Sequence, residues 1–393
     1  MENSISNIWA ITLALFRSVI ADRPLSDGFV RALTAEQIAS VYQIACRFDL
    51  AHLIAIPLTA DETLKGDRAV EPFRQSMYRA VNRYVQMDYE IGRIGEVFVR
   101  ENIPYLPLKG AAMRQYYPEP WMRTSCDVDI LVRAEDIERA SAILIQSLSY
   151  VQTGRTPHDI SFKAPGNVHI ELHHSLVESD RAARASEILS GVWEKSEAEE
   201  NPCRYAMSDE MFYFYHIAHM AKHFENGGCG VRPFLDLWIL NHRRPFDRAK
   251  RESLLRDGGL LKFAEGCEAL SEVWFGEAEP DELTKRLEQY ILGGGMYGNV
   301  ENMVAVQKNQ DGGRIRYIFK RLFMPYEKLK NVYPILQKHK WLTPVMEIRR
   351  WYDMIATGRM KRTVNELKSL NSIDEDGNIN GILKELGLNG EQL

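Results

Sequence analysis

The chain has 393 residues, of which 45% are hydrophobic and 26% charged, an ordinary globular composition with length for two or three lobes. Its formal net charge is −5 with no evident basic stripe, which disfavours a duplex or tRNA substrate. Five cysteines (46, 126, 203, 229 and 267), an odd number without a Cys-x-x-Cys pair, argue against a disulfide framework or zinc ribbon and for reduced thiols in a cytoplasmic protein.

Residues 1–100 read as a helical N-terminal region. The apolar run from Ile5 to Ile20 is interrupted by Asn7, Thr12 and Arg17 and lacks a basic leader and a small-residue cleavage site. It predicts an amphipathic packing helix, with no signal peptide, membrane span or membrane association. Thr34-Ala-Glu-Gln37 is a capping box ahead of apolar positions at helical spacing. Residues 61–67 read as a polar loop. From Val70 to Arg100 the pattern predicts a long helix with Met77, Tyr78, Val81, Tyr84, Val85, Tyr89 and Ile91 on its apolar stripe. Core packing is the expected use of that stripe, and base stacking the alternative.

Residues 101–180 read as a mixed core. Ile103–Leu108 is a short, proline-broken strand. Lys109-Gly110 and a helical stretch, Ala111 to Tyr116, follow. A strand, a glycine turn and a helix start can hold a phosphate through backbone N–H groups, with Lys109 adding charge, although Lys-Gly alone is also an ordinary turn. Next comes Cys126-Asp127-Val128-Asp129-Ile130-Leu131-Val132. Alternation puts Asp127 and Asp129 on one strand face and Val128, Ile130 and Val132 on the other, so the aspartates should look into a cleft. Cys126 is expected to be a small buried residue. A helix from Glu135 to Leu148 carries acids in its first turn, as the helix dipole favours. His158–Ala164 predicts a strand, and Pro165-Gly166-Asn167 turns it antiparallel into Val168–His173. There Glu171 shares a face with His169 and His173 and offers a third carboxylate. Carboxylates this close repel unless a cation lies between them, and oxygen ligands suit Mg²⁺ or Mn²⁺. A set of three is what two-metal phosphoryl or nucleotidyl transfer uses, with ions roughly 4 Å apart.

Residues 181–393 read as a helical C-terminal region. Met211–Phe224 is apolar and aromatic, Gly227–Gly230 ends it, and Phe234–Leu240 starts the next helix. His216, His219 and His223 fall on one helical face, where they could bind zinc, line a cleft or make core hydrogen bonds. Arg232 and Asp236, four apart, could pair with each other, or Arg232 could meet a substrate phosphate. The polar stretch at 372–378 has a faint calcium-loop spacing without its closing glutamate. A short final helix is expected from Asn380 to Leu386.

In this order, Leu108-Lys109-Gly110, Arg123, Asp127-Val128-Asp129, Ser149-Tyr150 and Glu171-Leu172-His173 resemble the DNA polymerase β-like nucleotidyltransferase superfamily. More narrowly, they resemble a bacterial branch of uncharacterised nucleotidyltransferases. Arg232-Pro-Phe-Leu-Asp236 and the stretch from Phe323-Met-Pro325 to Trp341-Leu-Thr-Pro344 extend the likeness to roughly residues 40–350. The family's phosphate turn usually carries a second glycine or Gly-Ser, whereas Ala111 and Ala112 stand here, and Glu171 replaces the commoner aspartate. The resemblance implies an α+β fold, a small mixed sheet flanked by large helical regions. It further implies Mg²⁺-dependent transfer of NMP from an NTP to a hydroxyl, releasing pyrophosphate. The metal set would be Asp127, Asp129 and Glu171, and the phosphate contacts Lys109, Gly110 and Arg123. His173, His219, Arg232 and Asp236 would support carboxylates or substrate. The acidic balance points to a small-molecule or protein acceptor. The alternative is a catalytically weak nucleotide-binding module or an antitoxin-like protein acting on a partner.

Overall fold

The computed structural model describes residues 2–176, 183–294, 313–357 and 378–388, with residues 303, 304, 308 and 360. The polar tail stretch at 372–377 lies outside them. The N-terminal helices are α1 (Glu2–Ile20), α2 (Ala35–Arg47), α3 (Ala51–Ala60) and α4 (Glu71–Arg100). The Thr34 hydroxyl accepts from the Gln37 amide and the Gln37 side chain from the Thr34 amide, which starts α2 where the capping box predicts. The polar loop at 61–67 contains one turn of 3₁₀ helix, capped by Asp61.

The sheet is built from β1 (Tyr105–Pro107), β2 (Asp127–Val132), β3 (Val151–Arg155), β4 (Asp159–Lys163) and β5 (His169–His173) in the order β1-β2-β5-β4-β3. Only the central β2–β5 pair is parallel, and the hairpin β4–β5 is antiparallel as its turn residues require. α5 (Lys109–Met113) lies between β1 and β2, and α6 (Ile137–Leu148) crosses behind the sheet. The architecture is thus α+β. Val128, Ile130, Val132, Ile170 and Leu172 point to the α6 side, where they form a core with Met87, Ile94, Val97 and Phe98 of α4. This apolar layer leaves the opposite face of β2 and β5 to the charged residues.

The α4 stripe differs from the sequence expectation. Tyr78, Val85 and Tyr89 are 61%, 56% and 65% exposed, and the buried side instead carries Phe73, Ala80, Met87, Glu90, Ile94 and Phe98. The face is shifted because the second half of α4 packs on the sheet. There Glu90 is accommodated by the Tyr150 hydroxyl (2.5 Å) and Arg93 (3.2 Å).

After α7 (Ala183–Ser190), a hairpin of β6 (Ser196–Ala198) and β7 (Tyr205–Met207) covers the β1 edge, with the Tyr105 amide donating to the Cys203 carbonyl at 2.8 Å. α8 (Asp209–Glu225), α9 (Arg232–His242), α10 (Arg248–Asp257), α11 (Leu261–Phe275) and α12 (Glu282–Gly293) share one large core with α1–α3. Further helices run Arg314–Leu322, Tyr326–Val332, Ile335–Lys338, Thr343–Ala356 and Asn378–Glu385, the last beginning two residues before the expected start. No helix of the described residues is long and apolar enough to cross a membrane.

Candidate active site

In the parallel β2–β5 pair Asp129 stands opposite Glu171, and Asp127 opposite His169. Strand alternation therefore brings the carboxylates of two strands, 42 positions apart at Asp129 and Glu171, onto one face. Asp129 is the buried centre. Its Oδ1 accepts from Lys109 Nζ at 2.8 Å and contacts His173 Nε2 at 2.9 Å, and His173 Nε2 lies 3.5 Å from Glu171. Lys109 reaches this position from a backbone with φ +44°, a left-handed conformation that an L side chain adopts only when its surroundings hold it there. The Leu108 amide, bonded to the Asp129 carbonyl at 3.0 Å, supplies part of that hold.

Burial alone would raise the Asp129 carboxyl, but the bonds from His173 and Lys109 reverse the effect and hold it well below its ordinary value. Burial works against charge on His173 too, yet its bonds to Asp129 and Glu171 outweigh it and lift the imidazole to about 9. The Lys109 ammonium is likewise raised by Asp129 against the pull of burial. Asp127 moves the other way, raised by burial and by the charge of Asp129. The site thus holds more negative charge than its own cations relieve, which is the condition under which a metal ion is welcome. Ligand atoms of Asp129, Glu171 and His173 lie within 4.8 Å of one another, and they are the one such three-residue group among the described residues. The carboxylate oxygens of this group fit a hard divalent cation, and His173 is hydrogen-bonded to them.

The loop entering β2 is braced from the helical side. Arg123 Nε donates to both oxygens of buried Asp236 at 2.7 and 3.0 Å, and the Tyr117 hydroxyl adds a third bond at 2.7 Å. Arg232 donates to Asp49, whose carboxylate also accepts from the Thr124 hydroxyl at 2.9 Å. Arg232 and Asp236 therefore do not pair with each other: α9 aims each at a partner on a different segment, more than 100 positions away in sequence. His52 bonds the Met122 carbonyl at 2.7 Å, and Arg83 of α4 bonds the Cys126 carbonyl at 2.7 Å. Cys126 itself is exposed at the cleft, not buried, because it sits at the mouth ahead of the first paired residue of β2.

Gly110 is buried, and a Cβ there would lie 3.0 Å from the Ser125 Cβ. Ser125 cannot retreat easily, since its hydroxyl accepts from Arg114 at 2.6 Å and donates to the Asp127 carbonyl at 2.9 Å. The expected phosphate helix amounts to five residues followed by a 3₁₀ turn. Its dipole is correspondingly small, so charge attraction in this corner comes from Lys109. The hydroxyl missing from the turn itself is present across it, at Ser125 beside Gly110.

The cleft has a volume of about 270 Å³. Lys109, Asp127 and Asp129 form its sheet side, while His216, His219 and His223 of α8 and Arg232 of α9 form the other. His216 bonds the Pro233 carbonyl at 2.9 Å and is lowered by burial, a packing histidine. His219 and His223 contact each other, Nε2 to Nε2, at 3.1 Å. Among the described residues the α8 histidines join no third metal ligand. Ser125, Arg114, Tyr117 and Asp49 had no local signal, because each acts through a partner on another segment.

The sequence pattern of a family described as uncharacterised nucleotidyltransferases matches residues 35–276, more than half of the 393. The chain belongs to this family. The match starts at α2 and ends just past α11, so it takes in both walls of the cleft. No curated protein matches the chain. As a member of the nucleotidyltransferase family the protein is a transferase, and the role that follows is nucleotidyl transfer from an NTP.

Proposed function

We propose that the protein moves NMP from an NTP to a hydroxyl of a small molecule or a protein side chain, releasing pyrophosphate, with Mg²⁺ or Mn²⁺ bound at Asp127, Asp129 and Glu171. The observation that carries this reading is the shared face of β2 and β5, where these carboxylates lie with Lys109 and His173, and from which Lys109, Asp127 and Asp129 line the cleft. The divalent cation, when bound, supplies positive charge against the phosphates and the departing pyrophosphate. The acceptor oxygen attacks the α-phosphorus as the bond to the bridging oxygen breaks. Glu171, half-buried opposite Asp129 on the neighbouring strand, takes the acceptor proton. Lys109, which bonds Asp129, would turn to the triphosphate, and His173 would keep Asp129 oriented. Arg123, engaged by Asp236, acts by fixing the loop before β2. The −5 net charge supports a small or protein acceptor over a polynucleotide.

A second reading, a weak nucleotide-binding module or antitoxin-like protein, draws support from the short phosphate helix and the tethered Lys109. Calorimetry of each NTP with Mg²⁺, followed by transfer assays with labelled NTP, separates the two. The enzyme reading expects metal-dependent binding and labelled acceptor, both lost in Asp127→Asn/Asp129→Asn. Binding of nucleotide without transfer to any acceptor class would favour the module.

A further inference from the structure

Residues 314–357 carry ten Lys and Arg against three Asp and Glu, a net of +7 in a chain whose total is −5. Their helices hold together through a few specific bonds. Arg350 Nε binds Glu347 at 2.7 Å, Glu347 accepts from the Met324 amide at 2.6 Å, and the Trp351 indole donates to the Leu322 carbonyl at 2.9 Å. Phe323 packs on Phe319 and Trp351 at ring-centroid distances of 4.9 and 5.3 Å. The packed face of helix Thr343–Ala356 is therefore the one bearing Glu347, Arg350 and Trp351.

The same helix has a second apolar face. Val345, Ile348, Tyr352 and Ile355, at i, i+3, i+7 and i+10, fall within roughly 80° of arc at ~100° per residue, and they are 51%, 63%, 71% and 64% exposed. Ile315, Phe319 and Trp341 are 86%, 62% and 75% exposed. Ten of the seventeen large hydrophobic residues exposed among the described residues lie in this segment. Basic residues adjoin them in sequence: Arg314, Arg316 and Lys320 near Ile315 and Phe319, Lys338 and Lys340 near Trp341, and Arg349 next to Ile348, with Lys340 over the Tyr326 ring and Arg349 over the Tyr333 ring.

A polyanion such as nucleic acid would match the charge but leave the aliphatic stripe in water. An uncharged apolar groove would take the stripe but gain nothing from the segment's net charge of +7. An anionic bilayer surface takes both, with Trp, Tyr, Phe and Ile at the headgroup–acyl boundary and Lys and Arg among the headgroups. Helices of nine and fourteen residues are too short to span, so the contact is peripheral. We propose that residues 314–357 dock the protein onto an anionic lipid surface, an association that the sequence alone did not lead us to expect.

The test is co-sedimentation of the full chain with phosphatidylcholine vesicles, with and without phosphatidylglycerol. The wild type should sediment with the anionic vesicles, less so at high salt, and at least about fivefold more weakly with phosphatidylcholine alone. Ile348→Glu/Tyr352→Glu should stay in the supernatant with unchanged circular dichroism and thermal midpoint, and with unchanged nucleotidyl transfer. Arg314→Gln/Arg316→Gln should lose much of the preference for anionic lipid. A wild type that ignores both vesicles, or a glutamate variant that sediments like wild type, overturns the proposal. So does light scattering that finds a wild-type dimer split by the glutamate pair, since a second copy would then cover the stripe.

Discussion

His52 shows how a residue remote from the chemistry can set the pH range of the whole protein. It is buried, and its Nε2–H donates to the Met122 carbonyl at 2.7 Å, a bond that favours the charged ring but is outweighed by burial. Burial lowers its pKa to about 4 from the ordinary 6.5. The folded state therefore refuses a proton that the unfolded chain accepts between these values, and stability present above about pH 6.5 is lost as pH falls toward 4. At 1.36 kcal/mol per unit the loss is about 3 kcal/mol. Denaturant unfolding at pH 7 and pH 4.5 should show this drop in the wild type. It should be distinctly smaller in His52→Gln, whose amide can keep the bond without titrating. Asp236 makes a companion case. Burial would raise its pKa, but Arg123 lowers it, and removing the carboxylate strands a buried guanidinium. Asp236→Ala should lose about 3–5 kcal/mol in the same assay, far more than a surface ion pair is worth. A loss under about 1 kcal/mol would show that Arg123 finds water or another acceptor.

Elements explain which parts of the site were readable beforehand. Alternating residues in β2 and β5 announced two strands with charged faces, and the Pro-Gly-Asn turn announced the antiparallel β4–β5 pair, because these are local patterns. The parallel pairing that sets Asp129 opposite Glu171 is not local, since α6 and two strands intervene. Nor is the bond from Arg123 to Asp236, 113 positions apart, which gives each residue a partner that its own stretch of sequence does not show. Cys126 was misread because a free cysteine is usually buried, whereas this one stands ahead of the paired strand at the cleft. The α4 stripe was misread because a broadly apolar helix does not say which side meets the sheet. Gly110 carries a consequence at this scale. An added Cβ meets Ser125, which is held on both sides, so Gly110→Ala should cost about 1–3 kcal/mol and lower nucleotide affinity by displacing the loop before β2. Gly92→Ala, on α4 with nothing within 4 Å of its Cβ, should be stabilising by about 0.5–1 kcal/mol and leave affinity unchanged. Equal effects from the two substitutions would show that the Gly110–Ser125 approach does not constrain the site.

At the scale of the molecule, α4 ties two cores together. Phe73 near its start lies in the helical core with α1–α3 and α8–α12, while Met87, Ile94, Val97 and Phe98 lie in the sheet core with β2, β5 and α6. Composition placed a lobe boundary at residues 100 and 101, where helical pattern gives way to strand pattern. Burial follows a different line, because the sheet needs the second half of α4 as its floor. Four buried side chains at about 1.5–3 kcal/mol each come to roughly 6–12 kcal/mol. That is as much as the entire stability of a typical domain. A fragment of residues 101–180 should therefore show no cooperative unfolding transition by circular dichroism. A fragment of residues 71–207, which restores α4 and the β6–β7 hairpin over the β1 edge, should recover one. A cooperative transition in the shorter fragment would mean that α6 alone can close the sheet. The cleft would then be a seam between two independently folded parts, instead of a groove held open by one shared helix.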